Sequence, residues 1–174
     1  MAGALGMKPK VAVVMGSESD LPTMEHCLRQ LAELGIEYDV QVLSAHRSPD
    51  KVRAFARSVG ESGFRVVIAG AGMSAALAGA IAAYTTVPVV GVPIASGPLQ
   101  GVDALLSTVQ MPPGVPVAGV GIGQAGAHNA ALLAAQVLAL QEPALAEALE
   151  KHRRNLAATV DKKNQALRER LSAG

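Results

Sequence analysis

The apolar positions of the chain fall into short continuous runs that alternate with stretches of helical spacing. Val11 to Met15 is an unbroken β-branched and apolar run, which indicates a strand covered on both faces. From Leu21 to Leu34 apolar residues recur instead at the spacing of one helix face. This alternation predicts further strands at 38–43, 66–69, 88–92 and 115–120, and further helices at 49–61, 75–84, 102–109 and 130–140.

Strands that alternate with helices of this length predict a parallel sheet with helices on both faces, joined by right-handed crossovers. The predicted fold class is therefore α/β, a three-layer α/β/α sandwich of the flavodoxin-like or Rossmann-like kind. Glu142-Pro143 ends the core pattern, and a charged helix over about 143–171 follows as a C-terminal extension. The length of 174 residues suits one domain. We expect a single domain over 1–174, with its core at about 10–141.

In an open parallel sheet, ligands bind beyond the carboxyl ends of the strands. After the first strand, Gly16 permits a close approach of a ligand to the backbone. Ser17, Ser19 and Asp20 follow at a helix N-terminus, where free N–H groups favour phosphate. The same residue types often only cap a helix, so this loop alone leaves both interpretations open. It matches neither the dinucleotide-binding glycine pattern nor a P-loop, which disfavours nicotinamide cofactors and ATP.

The loop after the second strand contains the best candidate for proton transfer. Ser44 and Ala45 lead into the pair His46-Arg47. Histidine exchanges protons near neutral pH, and arginine binds phosphate or carboxylate with a two-pronged fork. We expect His46 to be the catalytic acid and base, and Ser44, Ala45 and Arg47 to bind an anionic substrate.

The loop after the third strand is predicted to be a turn of small residues with exposed amides. Gly70, Ala71, Gly72 and Ser74 are candidates to hold a carboxylate or CO2. Tight packing between helix and sheet explains the glycines almost as well. The segments 93–101 and 110–114 are placed to close over a ligand. Among the other histidines, we expect His26 and His152 to be structural or solvated and leave the role of His128, near the start of a helix, open.

Composition removes several classes of function. Fifteen Lys and Arg against fourteen Asp and Glu leave a net charge of +1, which predicts no binding to nucleic acid or to an anionic membrane. The apolar runs are shorter than the roughly 20 residues of a membrane helix, and we do not expect the first ten residues to be a secretion signal. We therefore expect a cytoplasmic protein. The chain has only two Phe, two Tyr and no Trp, so it lacks the aromatic side chains that usually stack on a flavin. A single cysteine cannot form a metal cluster. We expect neither a cofactor nor a metal.

Taken in order, these segments resemble the N5-carboxyaminoimidazole ribonucleotide mutase family of de novo purine synthesis, from about Lys10 to Gln141. The matching motifs are VxVVMGSxSD at 11–20, SAHRxPD at 44–50, AGAG at 69–72, VPVxGVP at 87–93, VQMP at 109–112 and NAALLAAQ at 129–136.

The resemblance implies a cofactor-free enzyme that converts N5-carboxyaminoimidazole ribonucleotide into 4-carboxy-5-aminoimidazole ribonucleotide through release and recapture of CO2. It implies that His46 is the acid/base residue, that Ser17, Asp20 and Arg47 bind the ribonucleotide, and that the chains form a homo-octamer.

One position departs from the mutase pattern. Mutases usually carry a second histidine in GGAAHLPG, whereas residues 72–79 read GMSAALAG, with Ala76 in its place. The related aminoimidazole ribonucleotide carboxylases, which take free CO2, also lack that histidine and have a serine like Ser74. They tend, however, to have lysine where this chain has Arg47. Three functions stay open: the mutase, the carboxylase and a nonenzymatic nucleotide-binding module on a flavodoxin-like fold.

Overall fold

The computed structural model describes residues 10–172, within which five parallel strands form one sheet in the order β2-β1-β3-β4-β5. The sheet order and the helices around it confirm the predicted α/β fold with a C-terminal helix. The strands are β1 (Val11–Met15), β2 (Tyr38–Val42), β3 (Val66–Gly72), β4 (Val89–Ile94) and β5 (Ala118–Gly119), and the helices are α1 (Leu21–Glu33), α2 (Pro49–Ser58), α3 (Leu77–Ala82), α4 (Val102–Val109), α5 (Gln124–Ala139) and α6 (Pro143–Ser172).

The side chains of β1 alternate between two apolar layers. Val11, Val13 and Met15 belong to a core cluster shared with α1 and α5, while Ala12 and Val14 belong to a cluster shared with α2 and α3. All five residues are at most 2% exposed. Burial on both faces explains why this strand is a continuous apolar run rather than an alternating one.

Helix α5 packs closely on α1 because its inward face is built from alanines. Side chains this small allow the two helix backbones to approach each other and still exclude water. The fully buried alanines of α5 are Ala127, Ala130, Ala131, Ala134 and Ala135.

Strand β3 is longer than the pattern predicted, and the expectation of a turn from Gly70 to Gly72 was wrong. These residues continue the ladder, with Ala71 opposite Pro93 and Gly72 opposite Ile94. The glycines leave space for neighbouring side chains, since a Cβ on Gly70 would collide with the sulfur of Met24. Close packing therefore explains these glycines, and the turn begins only at Met73.

The last strand and the last core helix also differ from the prediction. Strand β5 is shorter than the predicted 115–120, because Pro116 has no N–H to donate to a ladder. Helix α5 begins at Gln124 rather than near residue 130, since glycines before and within its first turn obscure the helical pattern. His128 therefore lies in the second turn of α5. Helices α2 and α3 end at Ser58 and Ala82, slightly earlier than predicted.

Helix α6 is joined to the core only at its beginning. Leu145 is 7% exposed, and a 2.7 Å ion pair between Lys10 and Glu142 connects the start of β1 to the turn before α6. Beyond His152 the residues of the helix are exposed. No helix within residues 10–172 combines the length and apolar character needed to cross a membrane.

Candidate active site

A cleft of about 540 Å³ opens at the carboxyl ends of β1 to β4. This volume is in the usual range for a small-molecule site. It brings together all the residues predicted from the sequence as site residues except Gly70. The lining residues are Gly16, Ser17, Ser19, Asp20, Ser44, Ala45, His46, Arg47, Ala71, Gly72, Met73, Ser74, Ala75, Ala76, Leu77 and Ser96.

The loop after β1 is held by reciprocal hydrogen bonds between its own residues. The Ser17 backbone N–H donates to Asp20 Oδ2 at 2.9 Å. The Ser17 hydroxyl accepts from the Ser19 backbone N–H at 3.4 Å and from the Ser19 hydroxyl at 2.9 Å. This capping arrangement fixes both hydroxyls beside the start of α1, so the capping and ligand-binding interpretations of the loop are compatible.

Among the described residues 10–172, Asp20 is the one acidic residue that lines the cleft, and it is only 7% exposed. Burial raises the pKa of its carboxyl group. The Ser17 backbone, the Arg47 guanidinium and the Gly16 backbone favour the charged form and oppose this rise. A carboxylate kept in such a place accepts hydrogen bonds strongly, which suits it to the hydroxyl groups of a sugar.

Arg47 connects the loops that follow β1 and β2. Its Nη2 donates to the carbonyl oxygen of Gly16 at 2.9 Å, and its Nε donates to the Ser44 hydroxyl at 3.2 Å. The Ser44 hydroxyl also accepts from the Arg47 backbone N–H at 3.2 Å. Ser44 thus positions the guanidinium, and the exposed imidazole of His46 lies on the same loop facing the same cleft.

The loop after β3 forms the apolar part of the cleft. Met73 has a φ of 54°, the left-handed conformation that turns the chain from β3 toward α3. Gly70 is not among the lining residues of the cleft, and its contact with a substrate stays a prediction. It is buried within β3, where its carbonyl oxygen accepts from the Gly16 N–H at 3.0 Å and so supports the neighbouring loop from below.

Sequence reasoning missed Ser96 as a lining residue. It lies two residues beyond the end of β4, so the rule that points to strand ends also points to it. Met73, Ala75, Ala76 and Leu77 were likewise not named as binding residues, although they belong to the third loop.

The other three histidines lie outside the cleft. On α1, His26 contacts Arg29 at 3.3 Å. His128 on α5 and His152 on α6 have ring centroids 6.2 Å apart.

Comparison with known proteins gives a consistent result. The sequence profile described as AIR carboxylase matches residues 10–159. The chain is 50% identical to the N5-carboxyaminoimidazole ribonucleotide mutase of Pyrococcus abyssi over 148 residues, 85% of this chain and 84% of the relative. It is 51% identical to the mutase of Bacillus subtilis over 154 residues, 88% of this chain and 95% of the relative.

Solved structures agree with the sequence comparison. The crystal structure of Treponema denticola PurE superposes with a TM-score of 0.82 at 28% identity, covering 91% of this chain and 98% of that one. The profile match and the identity to curated relatives both span most of the chain. This protein therefore belongs to the AIR carboxylase family.

Proposed function

We propose that this chain is an N5-carboxyaminoimidazole ribonucleotide mutase, an isomerase of purine biosynthesis that forms 4-carboxy-5-aminoimidazole ribonucleotide. The proposal rests chiefly on about half the residues being identical to relatives of that name over most of their length. The cleft supports it, because a proton-exchanging imidazole and a guanidinium face the same space as the serine loop. A passive nucleotide-binding module has no need of that acid/base group.

The loops after β1 and β2 bind the phosphoribosyl part of the nucleotide in this proposal. The guanidinium of Arg47 and the hydroxyls of Ser17 and Ser19 face the phosphate, while the buried carboxylate of Asp20 accepts from a ribose hydroxyl. Ser44 keeps the guanidinium in place. Gly16 and Ala45, which have little or no side chain, leave room for the ligand at the same edge of the sheet.

The reaction proceeds by decarboxylation and recarboxylation. Protonated His46 gives its proton to N5 as the N–C bond of the carbamate breaks and CO2 leaves. Ring carbon C4 then attacks CO2 to form the new C–C bond, and the C4 proton returns to His46. The small residues Ala71, Gly72 and Ser74 border the space in which CO2 is retained, where it reacts at a high effective concentration.

Two starting mixtures test the proposed function directly. We expect the purified protein to form the C4-carboxylated nucleotide from N5-carboxyaminoimidazole ribonucleotide faster than from aminoimidazole ribonucleotide with bicarbonate. The rates are measured by the absorbance of the product. A preference for the second mixture would make the protein a carboxylase, which is a lyase. Ser74 and the absence of a histidine at Ala76 would then be features of the carboxylase class. Failure to form product from either mixture would favour the third interpretation, a nonenzymatic nucleotide-binding module.

We further propose that the protein is a cytoplasmic homo-octamer of one-domain chains. Exposed apolar side chains on α4 and α6 support self-association. Groups of large apolar side chains at a surface usually mark a contact with another molecule. Light scattering should give eight times the chain mass of 17.7 kDa. Leu106→Glu should yield a smaller folded species, and an unchanged mass would contradict a role for α4. The exposed apolar residues are Val102, Leu106 and Val109 on α4, and Leu156, Val160, Leu167 and Leu171 on α6.

A further inference from the structure

The cleft has two chemically different walls. The loops after β1 and β2 supply its charged groups, whereas residues 71–77 after β3, together with Ser96 after β4, supply mostly small or apolar ones. Ser74 and Ser96 are the only lining residues of this second wall, within residues 10–172, whose side chains donate hydrogen bonds. A polar ligand group that faces the second wall therefore has these two hydroxyls as its side-chain donors.

Ser96 lies closer to the end of the sheet than the exposed Ser74 does. Its Oγ occupies the place that a Cβ on Gly72 would take, and its own Cβ and the Ile94 carbonyl oxygen lie 3.1 Å from that place. Gly72 and Ile94 are paired in the sheet, so the hydroxyl lies against the paired ends of β3 and β4. Ser74, by contrast, lies in the exposed turn after Met73.

Burial also separates the two hydroxyls. Ser96 is half-buried and Ser74 is exposed. A hydrogen bond to a charged oxygen is stronger where water is partly excluded. Within residues 10–172 the Ser96 hydroxyl makes no hydrogen bond to another side chain, unlike the hydroxyls of Ser17 and Ser44. It is left available to a ligand.

We propose that Ser96 binds the carboxyl group that the reaction moves, and that it gives the cleft its preference for a carboxylated nucleotide. This inference rests on the mutase function proposed above. The hydroxyl donates to a carboxylate oxygen of the nucleotide, on the side of the cleft opposite the charged loops. Gly72 is required because any larger residue there displaces the donor.

The affinities of two nucleotides test the proposal by titration calorimetry. One is 4-carboxy-5-aminoimidazole ribonucleotide, and the other is aminoimidazole ribonucleotide, which lacks the carboxyl group. Ser96→Ala should weaken binding of the first by about 10-fold or more, the usual range for a lost hydrogen bond to a charged group. Binding of the second should stay within about 2-fold, because the bond to be lost involves only the carboxyl group.

Two further variants sharpen the result. Ser74→Ala should have a smaller effect than Ser96→Ala, because its hydroxyl is exposed. Ser58→Ala, which removes a surface hydroxyl of α2, should leave both affinities unchanged. Equal weakening of both nucleotides by Ser96→Ala, or no weakening of either, would overturn the proposal. Failure of the unaltered protein to convert N5-carboxyaminoimidazole ribonucleotide would instead refute the mutase function, whatever the Ser96 variant does.

Discussion

Replacement of His46 by asparagine should lower kcat for N5-carboxyaminoimidazole ribonucleotide by about 10²- to 10⁴-fold, the contribution of a histidine general acid and base. Asparagine is polar and of similar reach, but it neither takes up nor releases a proton near neutral pH. The proton that moves between N5 and C4 then has no carrier on the protein. Steady-state rates under saturating substrate measure the loss.

Folding and nucleotide binding should survive this substitution. The His46 side chain is exposed, and it belongs to neither core cluster. Far-ultraviolet circular dichroism and the dissociation constant of the product nucleotide check both points. His26→Asn, on α1 and outside the cleft, is the matched control and should keep its activity within about 2-fold, because a half-buried side chain away from the site takes no part in the proton transfer. Near-normal turnover by His46→Asn would reject the acid/base role.

The sequence was sufficient to locate most of the cleft because two physical rules act together. A continuous apolar run such as Val11–Met15 identifies a strand buried on both faces, and parallel strands bring the loops at their carboxyl ends to one edge. The polar residues of the first two loops therefore had to lie near one another. The side chains of Asp20 and Arg47 follow this expectation.

The remaining features depend on contacts that no local pattern reveals. The position of the Ser96 hydroxyl depends on Gly72, which is far away in the sequence and has no Cβ where that hydroxyl lies. Gly70 was predicted as a site residue because it is a glycine. In the structure, its missing Cβ makes room for the side chain of Met24. Likewise, Gly126 lacks a Cβ next to the Gly121 backbone, so a helix begins in a segment whose glycines argue locally against one.

Replacement of Asp20 by asparagine should make the folded protein more stable at pH 7 while weakening nucleotide binding by about 10-fold or more. Burial raises the pKa of Asp20 above its ordinary value of 3.8, although the Ser17 backbone, Arg47 and the Gly16 backbone oppose the rise. Between the unfolded and folded pKa values the folded chain binds more protons. The free energy of unfolding therefore falls as pH rises through this window.

Asparagine removes this electrostatic penalty and still accepts a hydrogen bond from the Ser17 N–H. The stability gain of Asp20→Asn should accordingly be fully developed above the folded pKa and should shrink as pH falls toward 3.8. Urea unfolding at a series of pH values measures it. The exposed Asp161→Asn on α6 serves as the control, because it makes the same chemical change away from the cleft.

Nucleotide affinity separates a ligand-binding role of Asp20 from a purely structural one, and stability separately checks the cost of burying its charge. If the carboxylate serves only as a cap, asparagine should replace it as the acceptor of the Ser17 N–H and leave nucleotide affinity unchanged. If the carboxylate binds the ligand, Asp20→Asn should be more stable and should bind the nucleotide more weakly. The buried charge lowers stability, but it provides the strong acceptor that a sugar hydroxyl needs. A variant with full nucleotide affinity, whatever its stability, would therefore remove Asp20 from the proposed binding site.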